Sequence, residues 1–252
     1  MINKLLKILF LVIILFCFFN NFSTAQGIKV EVNGGLGIYS MNDLRLFNDE
    51  MEELYEFDSK TVSDFPPFFY YRYSILFNYK RINAGIIISS QSTGSRVSSH
   101  DYSGDYHFDM IVKSKSHGIY LDVIFLEMNP LSFTIYSIAG IIYTNLNFNE
   151  ALTIWDTPAF DNEYEFISTN LFYEPGLSTS ISYKSFSLSL KVGYLLQFGS
   201  QVFKDPDNDM IILYPPVTST SSTAVKPGWD GLRVGLSLSY TLSFRKHNQK
   251  QE

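Results

Sequence analysis

The stretch Leu232-Arg233-Val234-Gly235-Leu236-Ser237-Leu238-Ser239-Tyr240-Thr241-Leu242-Ser243-Phe244 sets the fold class, because large apolar residues occupy every second position. The intervening positions are mostly Gly, Ser and Thr. A period of two residues is typical of a β-strand whose two faces meet different surroundings. Residues 186–198 alternate in the same way, so the pattern is not confined to one segment.

Eight such strands are predicted, and the lengths of their connections alternate. The strands span residues 30–38, 69–79, 82–93, a stretch ending at 119–126, 133–145, 171–183, 186–198 and 232–244. Tight turns are predicted at 79–82, 127–131 and 183–186, and long polar loops at 40–66, 94–104, 146–162 and 199–228. An even strand count with short turns at one end and long loops at the other is typical of bacterial outer-membrane barrels. The sequence therefore predicts an all-β, eight-stranded antiparallel up-and-down transmembrane β-barrel.

The composition supports a membrane barrel over a soluble barrel with an apolar interior. Only 17% of the 252 residues are charged and 16% are aromatic. A water-facing exterior would carry many Lys and Glu, but here the polar faces hold mostly small residues, which suit a narrow lumen. Aromatic residues also cluster near both ends of the predicted strands, as membrane interfaces favour. The same composition excludes a disordered chain and a basic nucleic-acid-binding chain.

The N-terminus has the layout of a secretory signal peptide. Lys4 and Lys7 precede an apolar run over residues 8–19, and small residues follow up to Ala25. The run is too short for a membrane-spanning helix, which needs about 20 residues. We expect cleavage after Ala25, giving a signal peptide at 1–25, a barrel domain at 26–244 and a short periplasmic tail at 245–252. Cys17 is the one cysteine and leaves with this peptide, so no disulfide is expected.

At the level of pattern, the mature chain resembles the small outer-membrane β-barrel proteins, the OmpA-like, OmpX-like and PorT-like families. The resemblance is carried by the glycine-rich Val32-Asn33-Gly34-Gly35-Leu36-Gly37-Ile38-Tyr39 and by the last strand, which ends at Phe244. Such an aromatic-terminated strand resembles the signal that the barrel assembly machinery recognises. In those families the chain usually ends at this aromatic residue, whereas here eight residues follow. The resemblance implies an outer-membrane location, lipopolysaccharide and membrane lipid as surroundings, and a structural, interactive or secretion-related role.

Charged residues on the polar faces form the first candidate site. If these faces point inward, the lumen holds three acids and three bases, and Glu174 and Arg233 lie at similar heights. Charges in a narrow interior persist when they are paired. We expect an ion network that plugs the lumen, with a selective pore lining as the alternative. The predicted network is Glu31, Arg72, Asp122, Glu174, Lys191 and Arg233.

The first long loop is the second candidate site. Leu44, Phe47, Met51 and Leu54 recur at helical spacing, and Ser40 resembles the start of a capping box. Residues 40–66 carry eight acids against two bases. A short helix at the barrel mouth is expected, and the acidic residues could contact a divalent cation or a cationic or protein partner. The acidic positions singled out are Asp49, Glu50, Glu52, Glu53, Glu56 and Asp58.

No motif supports catalysis, and neither a cofactor nor a dedicated metal site is expected. Ser98-Ser99-His100-Asp101 holds the residue types of a catalytic triad, but triads are assembled in space and not along the chain. The acidic run at 205–209 has the spacing of calcium ligands without the glycine and glutamate of an EF-hand, so a solvated turn is favoured. The predicted function is a non-enzymatic structural or surface-interaction role. A narrow channel, a secretion accessory and a lipid-modifying enzyme are the alternatives, in that order.

Overall fold

The computed structural model describes residues 27–54, 60–102, 104–155, 157–199, 202–208, 210–214 and 223–244. The predicted signal peptide and the tail at 245–252 lie outside these residues. One helix is described, α1 (Asn42–Leu54). The described strands are β1 (Gly27–Tyr39), β2 (Lys60–Asp64), β3 (Phe68–Tyr79), β4 (Ile82–Asp101), β5 (Gly104–Met128), β6 (Leu131–Ile154), β7 (Thr157–Tyr183), β8 (Phe186–Phe198) and β9 (Gly231–Ser243).

Eight of the strands close into a ring. Each pairs antiparallel with its sequence neighbour from β3 to β9, and β1 closes the ring by pairing with both β3 and β9. The short β2 stands outside this ring and pairs with the outer end of β4. The predicted eight-stranded antiparallel up-and-down barrel with a helix in its first long loop is therefore confirmed. No helix among the described residues is long and apolar enough to cross a membrane.

The register of the ring is staggered, so the strands are tilted. Paired residues followed around the barrel from Phe198 on β8 lead through β7, β6, β5, β4, β3, β1 and β9 back to Leu188. The path ends ten residues before its starting point on the same strand. A barrel of eight strands leaves an interior that side chains can fill. The fold thus sets the lumen width before any particular side chain is considered.

The three predicted tight turns are present, with Lys80 and Lys184 at positive φ in two of them. Two of the predicted long loops are wrong. Residues 94–104 and 146–162 lie mostly in strands, because β4 pairs with β5 up to Asp101 and β6 pairs with β7 up to Ile154. Within the first loop, β2 also adds a strand that the sequence pattern does not reveal.

The long strands exchange their polar and apolar faces part-way along. On the lower half of β5, Ile119 and Leu121 point outward and Ser116 points inward. On its upper half, Phe108 and Met110 are buried inside, while Lys113 points outward. The alternation continues without interruption, but the chemistry of the two faces is reversed. Their polar outward faces make these upper segments resemble loops in the sequence, although their inward faces are apolar.

Helix α1 packs inside this upper extension. Leu44, Phe47 and Met51 are buried, and the Phe47 ring stacks on Phe148 and Phe108 at centroid distances of 5.3 and 6.1 Å. The predicted capping box is wrong. Ser40 Oγ donates to the Gly228 carbonyl at 3.1 Å, and Asp43 Oδ2 accepts from the Lys226 backbone N–H at 3.1 Å. The start of the helix is thereby tied to the last loop.

Candidate functional site

An ionic cluster occupies the middle of the lumen. Glu174 on β7 accepts from two arginines with the same oxygen: Arg72 Nη2 lies at 2.5 Å and Arg233 Nη1 at 2.7 Å from Oε2. The side chains of all three are at most 1% exposed. The arginines come from β3 and β9, so the cluster links opposite sides of the barrel across the interior. A buried carboxylate between two guanidinium groups is an arrangement in which each charge offsets the desolvation cost of the others.

A second ion pair lies on the side of the short turns. Lys191 on β8 donates to Glu31 on β1, and it also donates to the Tyr120 hydroxyl at 3.1 Å. The other oxygen of Glu31, Oε2, lies 3.5 Å from Lys29 Nζ. Lys29 precedes the first predicted strand, so the alternation assigns it no face. The structure extends β1 to Gly27 and brings this lysine into the lumen.

Asp122 is the member of the predicted set that meets none of the other five directly. Its Oδ1 accepts from Asn83 Nδ2 at 2.6 Å, across the β4 and β5 pair. Asp122 instead lines a cavity of about 240 Å³ near the short turns, together with Lys29, Lys191 and several serines. Five of the six predicted residues therefore form two ion-paired groups, and the sixth is hydrogen-bonded separately.

Tyrosine rings fill the lumen around the charges. Arg233 lies over the Tyr70 ring at 5.1 Å from its centroid, and Lys191 lies over Tyr120 at 4.8 Å. Tyr120 and Tyr136 are stacked at 5.7 Å. Cation–π contacts of this kind gain strength where water is excluded. The pattern of charges does not single out these tyrosines, although Tyr70, Tyr120 and Tyr136 share the period of two with the polar faces.

Two glycines leave the space that one of these rings occupies. Gly176 and Gly193 are paired on β7 and β8, and both face Tyr136. A Cβ on Gly176 would lie 2.2 Å from Tyr136 Cζ, and one on Gly193 would lie 2.3 Å from Tyr136 Oη. The ring can lie flat against the barrel wall because both side chains are absent. In that position, Tyr136 Oη donates to Glu174 Oε1 at 3.3 Å.

The outer mouth is closed by a tryptophan and its partners. Trp229, which is fully buried, donates from Nε1 to Thr144 Oγ1 at 2.9 Å and packs edge-on against Tyr39 at 4.9 Å. Tyr39 in turn donates to Gln91 Oε1 at 2.9 Å, and Gln91 accepts from Arg233. One continuous set of contacts thus joins the mouth to the ionic cluster. No sequence signal marks Trp229, because it lies in a loop without periodicity.

The predicted acidic residues of the first loop do not share one environment. Glu50 is buried, and Glu52 accepts from the Thr61 hydroxyl at 2.8 Å, which fastens α1 to β2. Asp49 is exposed on the same helix. Glu53 belongs to α1, but its side chain lies outside the described part of the structure. Glu56 and Asp58 lie outside the described residues altogether.

The remaining candidates form local contacts. His100 Nδ1 contacts Asp105 across the exposed β4 and β5 hairpin. Asp205 Oδ1 accepts from the backbone N–H groups of Asp207 and Asn208 at 2.8 and 3.0 Å, which is a turn stabilised by its own side chain. Within the described ranges, no three His, Cys, Asp or Glu side chains converge in a way that could hold a metal ion.

No protein-family model matches this chain, and no curated protein matches it. Among solved structures, Ail, the attachment invasion locus protein of Yersinia pestis, is 14% identical with a TM-score of 0.39, over 86% of this chain and 99% of that one. A major outer membrane protein from Thermus thermophilus is 12% identical with a TM-score of 0.44, over 85% and 99% of the two chains. Neisserial surface protein A is 7% identical with a TM-score of 0.37, over 86% and 98%.

Proposed function

We propose that this chain is a bacterial outer-membrane protein, exported with a cleaved signal peptide, which serves as a closed membrane scaffold with a surface-interaction role. The observation that carries the proposal is the uncharged apolar belt around the outside of the ring. On every strand of the ring, the outward side chains between the short turns and the face exchange are uncharged and mostly large. Such a belt suits hydrocarbon, because the closed ring satisfies every backbone group and only side chains meet the lipid.

The reversal of faces supports the same location. Below the exchange, apolar side chains point outward and polar ones inward, as a barrel in lipid requires. Above it, Val97, Phe108 and Phe148 are buried inside while Arg96 and Asp109 face outward. This second arrangement is that of a water-soluble protein. One set of strands therefore suits two surroundings, and the exchange marks the proposed outer surface of the membrane.

The filled lumen favours a closed scaffold over a channel. Arg72, Glu174 and Arg233 join opposite walls, and Tyr136 and Trp229 occupy the space on either side of them. A solute would have to displace paired charges whose separation is costly. The surface role is supported by the tips of the outer hairpins, where Tyr102 and Trp155 are 90% and 70% exposed. Large exposed aromatic residues are common anchors of protein contacts.

The proposal is tested in two steps. First, cell fractionation places the protein in the outer membrane, and its mobility on SDS gels changes after boiling. Recovery in a soluble fraction would overturn the membrane proposal. Second, in planar bilayers the wild-type protein shows little conductance, whereas an Arg72→Ser, Glu174→Ser, Arg233→Ser triple variant conducts more than the wild type, because the side chains that join opposite walls are gone. The three charges are removed together, so none of them is left unpaired. Large stable wild-type channels would overturn the closed scaffold and favour transport.

A further inference from the structure

A depression lies on the outer wall of the barrel, directly above the apolar belt. It has a volume of about 850 Å³ and is bordered by side chains of β3 to β7, among them Phe69, Tyr71, Lys113, Lys115 and Tyr143. This volume is within the range of sites that hold small organic ligands. The wall is hollow at this level because the outward residues between the aromatic ring edges are small, such as Ser90 and Ser92.

Two lysines give this depression its charge. Lys113 and Lys115 occupy successive outward positions on β5, and both are exposed. Within the described part of the chain, neither ammonium group has a hydrogen-bond or ion-pair partner. Two acidic residues of the same upper wall contact other side chains: Asp109 binds Arg96, and Glu165 accepts from Asn145. The two ammonium groups are therefore available to an anionic ligand.

The height of the lysines indicates which anion fits. Below Lys115, the outward residues of β5 are His117, Ile119 and Leu121, which continue into the apolar belt. A ligand with a phosphate beside the lysines would thus have apolar wall beneath it and aromatic edges beside it. A soluble anion would leave that apolar surface unused, whereas acyl chains would cover it. An ammonium group binds phosphate as a compact point charge.

We propose that this depression, which we call the β5 lysine site, binds a phosphorylated glycolipid of the outer leaflet. The site is defined by Lys113 and Lys115 with Phe69, Tyr71 and Tyr143. The lysines hold a phosphate of the headgroup, the hydroxyl and amide side chains around them meet the sugar, and the acyl chains run down the belt. The inference rests on the proposed outer-membrane location and adds a specific lipid site to it.

The test measures lipid retention by the folded full-length mature chain. Purified protein is exchanged into nanodiscs of phosphatidylcholine that contain bisphosphorylated lipid A, and bound lipid is quantified by native mass spectrometry after release from the disc. The wild-type protein retains lipid A in preference to phosphatidylglycerol and to lipid A without phosphates. Lys113→Gln with Lys115→Gln weakens retention by about tenfold to thirtyfold, because both lysines lose their electrostatic attraction to the anionic headgroup.

The control is Lys80→Gln with Lys184→Gln, which removes the same charge from the opposite end of the barrel and leaves retention unchanged. Retention by the Lys113 and Lys115 variant within twofold of wild type would overturn the site, and so would equal retention of phosphatidylglycerol or equal binding of a soluble sugar phosphate. Gel mobility before and after boiling shows that each variant is folded. A protein that fails to insert at all contradicts the proposed location, whereas one that inserts without lipid preference contradicts this inference alone.

Discussion

Glu174 on β7 and Arg233 on β9 meet across the lumen at 2.7 Å, although β8 stands between their strands in the wall. The contact exists because the barrel is narrow and both side chains point to its axis. Arg72 reaches the same carboxylate oxygen from β3. One buried acid therefore pairs with two buried bases, and its removal would leave both arginines without a carboxylate partner.

Replacement of Glu174 by Gln should destabilise the barrel strongly. Both arginines would keep their charge in a buried site without a carboxylate, and loss of one partner of a buried pair costs about 3–5 kcal/mol. The measurement is the urea dependence of unfolding in lipid vesicles. Glu163→Gln is the matched control, since Glu163 is exposed on the outer part of β7 and should change stability by less than about 0.5 kcal/mol. Equal stability of the two variants would mean that the cluster contributes nothing to the folded state.

Replacement of the two tryptophans by alanine should have very different effects on stability. Trp229→Ala removes a buried ring, its hydrogen bond to Thr144 and its contact with Tyr39, at a cost of about 3–5 kcal/mol. Trp155→Ala should be nearly neutral, because this side chain is 70% exposed at a hairpin tip. The chain has only these two tryptophans, so fluorescence of the Trp155→Ala variant reports Trp229 alone. We expect blue-shifted emission that resists acrylamide, and emission typical of a water-exposed indole would contradict a closed mouth.

Phe47→Ala should release α1 while the barrel remains folded. Phe47 is buried and its ring stacks on both Phe148 and Phe108 inside the barrel. Its loss lowers the free energy of local opening, so trypsin should cut after Arg45 about tenfold faster or more. Leu46→Ala is the control, since Leu46 is 46% exposed. Heat-dependent gel mobility should persist in both variants, and an unchanged cleavage rate for Phe47→Ala would argue against docking of the helix.

Replacement of glycine by alanine should cost more stability on the inward face of the barrel wall than on the outward face. A methyl group at Gly193 would collide with Tyr136 and lie 3.0 Å from Glu174 Oε1, so Gly193→Ala should cost about 1–3 kcal/mol. At Gly34, which faces outward, the nearest atom to an added Cβ is 3.9 Å away on Tyr71. Gly34→Ala should therefore be neutral or stabilise by up to about 1 kcal/mol. Urea unfolding of both variants checks this, and a similar cost at the two sites would show that the ring of Tyr136 does not need the glycine.

The sequence predicts some strands closely and misses parts of others. Strict alternation at residues 186–198 and 232–244 predicts β8 and β9 almost to the residue, because both faces of these strands keep one chemistry throughout. The outer halves of β4 to β7 resemble loops in the sequence, because their polar outward positions obscure the apolar positions between them. The tight turns are predictable because only a few residues separate the alternating segments on either side of each turn.

The candidate site is predictable in part. The period of two places the six charged residues on the polar faces, but it does not define the contacts between strands that are distant in the ring. Glu174 is bonded to Arg72 and Arg233, whereas Asp122 is bonded to Asn83. Lys29 and Trp229 lie outside the periodic segments, so alternation cannot assign them to the interior.

Local periodicity and turn length are enough to define the number of strands in the ring, their antiparallel order and the side of the wall on which each residue of a periodic segment lies. The folded barrel alone defines which charges meet, where the faces exchange and how the mouth is closed. These features depend on a stagger of ten residues around the ring and on side chains that span the lumen. No local pattern encodes them, because each contact joins strands that the chain reaches many residues apart.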